Sequence, residues 1–106
     1  MADRWIDKFR KDAFPSLVKK FKPEKVIIFG SRVRGVAKKD SDIDIIVISN
    51  YFEKIPFLKR MPLILKKVPF QKHVDYICYT PDEYKKIKDA SSLISGALED
   101  SIELAI

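Results

Sequence analysis

Residues 25–48 read Lys25-Val26-Ile27-Ile28-Phe29-Gly30-Ser31-Arg32-Val33-Arg34-Gly35, then Val36 to Ser41, then Asp42-Ile43-Asp44-Ile45-Ile46-Val47-Ile48. The first five residues are short-range, apolar and β-branched, the composition of a buried strand. That run stops abruptly at Gly30-Ser31. Residues 31–36 are expected to make a short helical turn that Gly35 ends. The polar loop Lys38-Lys39-Asp40-Ser41 then leads to a second strand, 42–48. Beyond Asp44 apolar residues fill both faces of this strand, as at the centre of a sheet.

Outside this stretch the periodicity changes from two to near four. Trp5, Ile6, Phe9 and Ala13 share one helical face, and Pro15 breaks or restarts that helix. Leu17, Val18 and Phe21 continue a second short face, which Pro23 closes by driving its predecessor out of helical geometry. Phe57, Leu58, Met61 and Leu65 carry helical spacing over residues 56–67, with Pro62 inside it as a kink or a late start. Val74 to Tyr79 is a third apolar strand. Thr80-Pro81-Asp82-Glu83 follows as a capping box with proline at the first helical position. Tyr84 and Ile87, then Leu93, Ile94, Ala97, Leu98 and Ile102, belong to the last helices, and the apolar last helix, Leu93 to Ile106, serves either the core or an interface. The order is that of an α/β (α+β) sheet layered with helices.

The 106 residues suit one domain, 1–106, and the apolar fraction of 46% supports a packed core. No apolar run approaches the length of a bilayer span, so no membrane association is expected. The N-terminus, with Asp3, Arg4, Asp7, Lys8 and Arg10, lacks the apolar stretch of a signal peptide. Cys78 stands alone, which rules out an intrachain disulfide and fits a reducing cytoplasm. With Cys78 and His73 the sole soft ligands, zinc is not expected. The net charge of +6 favours polyanionic partners, nucleotides or nucleic acid. The lysines are dispersed rather than massed, however, and a solvated Lys/Glu surface explains them more simply.

Three carboxylates stand out against this background. Asp42 and Asp44 lie two apart on a strand and so project to one face, their α-carbons roughly 6.6 Å apart. Their tips can converge on one cation or bridge two, while Ile43 and Ile45 point into the core. The alternative is a polar strand start with solvated acids. Asp75 interrupts the apolar strand Val74-Asp75-Tyr76-Ile77-Cys78-Tyr79. If buried it requires a cation, a partner or a raised pKa; the alternative is a strand end open to solvent or a lysine salt bridge. Gly30 lets backbone approach a phosphate closely, and Ser31 offers a hydroxyl at the start of a turn whose N–H groups point outward.

Gly30-Ser31, ten intervening residues and Asp42-Ile43-Asp44 resemble the signature of the polymerase-β-like nucleotidyltransferase superfamily, most closely its small stand-alone members, the minimal nucleotidyltransferases. Arg32-Val33-Arg34-Gly35 resembles the arginine-glycine element that follows the Gly-Ser there. Asp75 falls where the family carries its third carboxylate. The resemblance implies a small mixed β-sheet with helices packed mainly on one side. It implies that Asp42 and Asp44 bind two magnesium ions and that Asp75 binds the catalytic ion and helps deprotonate the acceptor hydroxyl. Gly30 and Ser31 would hold the triphosphate, of ATP or another nucleoside triphosphate. The reaction implied is attack of a hydroxyl on the α-phosphate with release of pyrophosphate, catalysed by electrostatic positioning. Small members pair with an all-helical HEPN-class protein in toxin–antitoxin systems, adding an adenylyl group to a partner tyrosine; the resemblance extends that expectation here, since the chain has no room for a dedicated acceptor domain.

Other residues are weighed differently. Arg34 is either a phosphate contact through its planar fork or a surface arginine. His73 shares the strand face of Asp75 and is expected as a polar strand-start residue rather than a general base. Lys38 and Lys39 are expected as solvated loop residues. Trp5, Phe9, Phe14 and Phe21 follow helical spacing and read as core. Two readings compete with catalysis: a catalytically silent nucleotide-binding or partner-docking module of the same fold, and a nucleic-acid-binding domain, which the lack of an aromatic platform disfavours. A homo-oligomer is open on sequence grounds.

Overall fold

A computed structural model describes residues 3–106. Its elements run α1 (Arg4–Asp12), α2 (Phe14–Phe21), β1 (Lys25–Phe29), α3 (Ser31–Arg34), β2 (Ile43–Ile48), a 3₁₀ turn (Asn50–Phe52), α4 (Phe57–Lys67), β3 (Val74–Tyr79), α5 (Pro81–Ala90), α6 (Ser92–Glu99) and β4 (Ile102–Glu103). The sheet order is β3-β2-β1-β4. β2 is antiparallel to β1 and parallel to β3, and β4 is antiparallel to β1. The sheet is therefore mixed, and the apolar run 43–48 is central, as its two-faced hydrophobicity requires.

The pleat divides the strand residues between two cores. Val26, Ile28, Ile43, Ile45, Val47, Val74, Tyr76 and Cys78 join the larger core with Phe9, Leu17, Phe21 and Ile64, from α1, α2 and α4. Ile27, Ile46 and Ile48 face the other way and meet Tyr84, with Ile87 and Leu98 packed alongside from α5 and α6. The helical mass thus lies mainly on one face, and a smaller layer covers part of the other. The uncovered end of that second face carries Asp44 and Asp75, which share the pleat side of Ile46 and Ile77.

Local chemistry accounts for the boundaries. The Asp3 carboxylate accepts the N–H groups of Trp5 and Ile6 and caps α1. Pro15 restarts the chain as α2, where a missing N–H near a helix start costs nothing. Lys22 ends α2 in the left-handed region at φ 45°, ahead of Pro23. The capping box of α5 forms in both directions: Thr80 Oγ1 accepts from the Glu83 N–H at 3.2 Å, and Glu83 Oε1 accepts from the Thr80 N–H at 2.8 Å.

Two expectations fail here. Pro62 does not delay the helix start; α4 begins at Phe57 and runs through it. The buried face of α4 holds Arg60 and Ile64, while Phe57 and Leu58 are exposed at 50% and 85%. Apolar spacing could not reveal this, because an arginine occupies the core-facing position. Its guanidinium donates to the carbonyls of Ile55 and Cys78 and holds Glu83 through both carboxylate oxygens. The segment from Leu93 to Ile106 is also not one helix. α6 stops at Glu99, and Ile102–Glu103 return as β4 against Ile27 and Ile28 of β1, filling a sheet edge that would otherwise be unpaired.

Candidate active site

Strand register assembles the site. Phe29, the last residue of β1, lies opposite Asp44 of β2. Asp44 in turn lies beside Asp75 of β3. Gly30, one residue beyond Phe29, is thereby delivered to the same end of the sheet as the two carboxylates.

Gly30 adopts φ 87°, a left-handed conformation that disfavours any side chain. A β-carbon there would collide with Asp44 Oδ2 and lie 3.1 Å from Asp44 Cγ. Its carbonyl accepts the N–H groups of Val33 and Arg34, each at 3.2 Å, which starts α3. Gly35, at φ 74°, ends that turn with its N–H on the Ser31 carbonyl. The chain thus reverses tightly beside Asp44.

The two arginines of this turn do different things. Arg32 is buried and acts as a clamp. Its Nε donates to the Ser41 carbonyl at 2.8 Å, Nη1 to Asp3 Oδ2 at 3.0 Å, and Nη2 to the carbonyls of Lys38 and Lys39 at 3.4 and 3.3 Å. It holds the loop that leads directly into Asp42. Sequence reading missed this role, because the carbonyls and the Asp3 carboxylate that satisfy Arg32 come from other segments. Arg34 is exposed and lines a cleft of about 440 Å³ together with Phe29, Gly30, Leu93, Gly96 and Asp100. The cleft opens next to the glycine turn, so Arg34 is within the region a ligand at Gly30 would occupy.

Asp42 precedes β2, and the adjoining Ile43 N–H donates to the His73 carbonyl at 3.3 Å. This bond ties the start of β2 to the start of β3. Donor atoms of Asp42, His73 and Asp75 consequently lie within 4.8 Å of one another. His73 Nε2 is 3.1 Å from Asp75 Oδ1, and both side chains are half exposed. Asp75 is therefore not a buried carboxylate, contrary to one branch of the sequence expectation; it sits at a strand end reached by solvent, with an imidazole for company. His73 belongs to the cluster rather than standing aside as a polar strand start.

The strained carboxylate is Asp44. Its pKa is raised, first by burial and then by the negative charges of Asp75 and Asp42. Donor atoms of Asp42, His73 and Asp75 converge within 4.8 Å, with Asp44 close enough to feel both acids, and this group fits a divalent cation. Such an ion takes oxygen ligands and would offset the repulsion that lifts the Asp44 pKa. Ser31 begins α3 at the same turn, half-buried.

Comparison with known proteins gives a consistent picture. A family model described as a nucleotidyltransferase domain matches residues 10–104. A crystal structure of a Sulfolobus solfataricus protein assigned to the nucleotidyltransferases is similar at 27% identity with a TM-score of 0.61, covering 91% of this chain and 76% of that one. BolA1 from Arabidopsis thaliana matches at 19% identity and a TM-score of 0.52, covering 76% of this chain and 96% of its own. The BolA domain of SufE1 from the same plant matches at 16% and 0.53, covering 78% and 99%. The two BolA structures share the fold alone. No curated protein matches the sequence. No helix among the described residues is long and apolar enough to cross a membrane. With a family match over nearly its whole length and an acidic site beside a glycine turn, the chain belongs to the nucleotidyltransferase domain family.

Proposed function

We propose that this nucleotidyltransferase moves a nucleoside monophosphate, AMP from ATP, onto a hydroxyl of an acceptor, and that the acceptor is a tyrosine of a helical HEPN-class partner, which the transfer silences. The observation that carries the transfer reading is the row Phe29–Asp44–Asp75 across three strands, with Gly30 at its end.

In this reading Gly30 and Ser31 hold the triphosphate. The glycine does so by leaving backbone uncovered and the serine by donating its hydroxyl. Arg34 meets a phosphate from the cleft wall. Asp42, Asp44 and Asp75 would hold two magnesium ions, whose chemistry is to neutralise charge on the triphosphate oxygens and the departing pyrophosphate. Asp75 faces solvent, so an acceptor hydroxyl can reach it and pass it a proton. The acceptor oxygen then bonds to the α-phosphorus as the bond to the β-phosphate oxygen breaks. Burial and like-charge crowding hold Asp44 ready for a cation, and Arg32 fixes the loop from which Asp42 projects.

The open rim around Asp75 suits a macromolecular acceptor better than a small enclosed one. A separate apolar groove of about 390 Å³, lined by Phe57, Tyr79, Ile87 and Ala90, offers a surface for a helical partner. The test is incubation with ATP labelled in the α-phosphate, with magnesium, with and without a co-expressed helical partner. Label from the α-position on the partner tyrosine, lost in Asp42→Asn, is expected. Transfer of γ-label instead would replace the reading with phosphoryl transfer. Stabilisation by Mg-ATP with no transfer to any protein would leave a silent nucleotide-binding module.

A further inference from the structure

We propose that His73 is a metal ligand, completing a mixed nitrogen–oxygen cation site with Asp42 and Asp75 that favours manganese(II) over magnesium. The inference rests on the transferase reading and refines its metal chemistry.

Three observations carry it. First, the strand pleat puts His73 and Asp75 on one face, two residues apart at the start of β3, and the Ile43–His73 backbone bond brings Asp42 beside them. Second, one donor atom from each of the three lies within 4.8 Å of the others, so small side-chain rotations bring all three inside the roughly 4.2 Å span of a single cation. Two ligands at right angles around a cation with bonds of about 2.1 Å are separated by about 3.0 Å. The His73 Nε2 to Asp75 Oδ1 separation is 3.1 Å. The ligand pair therefore already stands at the distance a shared ion would impose, and the proton between them would yield its place to the metal. Third, both side chains are half exposed, so an ion reaches them without rearrangement of the fold.

The donor chemistry sets the preference. Magnesium takes oxygen ligands and resists exchanging water for nitrogen. Imidazole suits first-row transition ions, and carboxylates suit manganese, so two carboxylates with one imidazole favour manganese(II) among the ions that also serve a triphosphate. A hydrogen bond between an imidazole and a neighbouring carboxylate would produce the same distance without any ligand role, and a direct spectroscopic readout separates the two.

The experiment is titration of the purified chain with manganese(II), followed by electron paramagnetic resonance, with electron-spin-echo modulation to detect a directly bound imidazole nitrogen. His73→Asn and His73→Gln are compared with the wild type; the His73 side chain is half exposed, so folding is preserved in both, which circular dichroism checks. Expected are a nitrogen modulation in the wild type, its loss in both variants, and a fall of at least about tenfold in the ratio of manganese to magnesium affinity. Bound manganese without nitrogen modulation, or an unchanged affinity ratio in the variants, overturns the proposal. Stabilisation of the wild type by Mg-ATP, measured in parallel, reports on the nucleotide site separately. If it persists when the nitrogen signal is absent, the ligand assignment alone fails; if both are absent, the transferase reading fails with it.

Discussion

Gly30 and Asp44 compete for one volume: the space a β-carbon on residue 30 would need is taken by the Asp44 carboxylate, with Asp44 Cγ only 3.1 Å away. The glycine is thus required twice, by its φ of 87° and by the acid packed against it. The turn and the carboxylate form a single unit.

Gly30→Ala should accordingly damage both fold and site. Forcing a side chain into this conformation costs about 1–3 kcal/mol, a fall in Tm of roughly 5–15 °C for a domain of this size. Displacement of Asp44 should also abolish Mg-ATP-dependent stabilisation. Differential scanning fluorimetry with and without Mg-ATP checks both, and a variant that melts and responds like the wild type would falsify the coupling.

Asp44→Asn should show the opposite split. The raised pKa of Asp44 means that the native chain keeps its proton to higher pH than the unfolded chain does. Stability from this group is therefore greatest below its ordinary value of 3.8 and is lost as pH rises through the raised native value. At neutral pH the charged acid opposes folding. In the presence of a chelator, Asp44→Asn should melt a few degrees above the wild type, yet gain nothing from Mg-ATP and transfer no label. A lower Tm in chelator would contradict the charge-crowding account.

Arg32→Met removes the clamp over residues 38–41 while leaving Asp3 largely buried and short of its cation. Its side chain and that of Asp3 are 6% and 18% exposed. The expected loss is about 3 kcal/mol, the lower end for breaking a buried pair, because Asp3 still accepts the α1 N–H groups. Transfer should fall as well, since Asp42 follows this loop. Asp3→Asn, which keeps the Arg32 bonds to backbone, should lose stability with little loss of transfer. Urea denaturation and labelled transfer on the two variants test the distinction.

Glu83 supplies an acid-sensitive contact. The Arg60 side-chain hydrogen bond lowers its pKa below the ordinary 4.5, helped by the Thr80 backbone N–H. A lowered native value contributes stability above pH 4.5 that disappears as pH falls through the native value. Since the Glu83 side chain is 44% exposed, solvent screening keeps this below about 1 kcal/mol. Glu83→Gln should reduce stability at pH 7 and flatten its decline between neutral pH and strongly acid conditions, as read by urea midpoints across that range. An identical acid limb in the variant would remove Glu83 from the account.

Local chemistry made much of this legible from residues alone. Period-two and period-four patterns located β1, β2, β3 and most helices, because each element must bury one apolar face. The capping box at Thr80–Glu83, the stop at Gly35 and the centrality of β2 follow from short-range rules that no distant contact overrides. Gly30, Asp42, Asp44 and Asp75 stood out as candidates because a phosphate turn and a cation site would demand those residue types at those spacings, and strand register places Gly30, Asp44 and Asp75 at one end of the sheet. Invisible were the features that depend on which residues meet across the fold. Arg32 and Arg60 are charged and so read as surface, yet the carbonyls and acids that make their burial tolerable come from remote segments. Ile102 looks helical until β1 presents an unpaired edge. Asp75 could be read as buried or as open to solvent until the end of its strand proves open, and His73 joins the acidic cluster only when β2 and β3 bring Asp42 beside it. Sequence alone marked the candidate acids and most of the elements that carry them; tertiary structure decided their company, because desolvation and charge pairing depend on neighbours that chain order does not reveal.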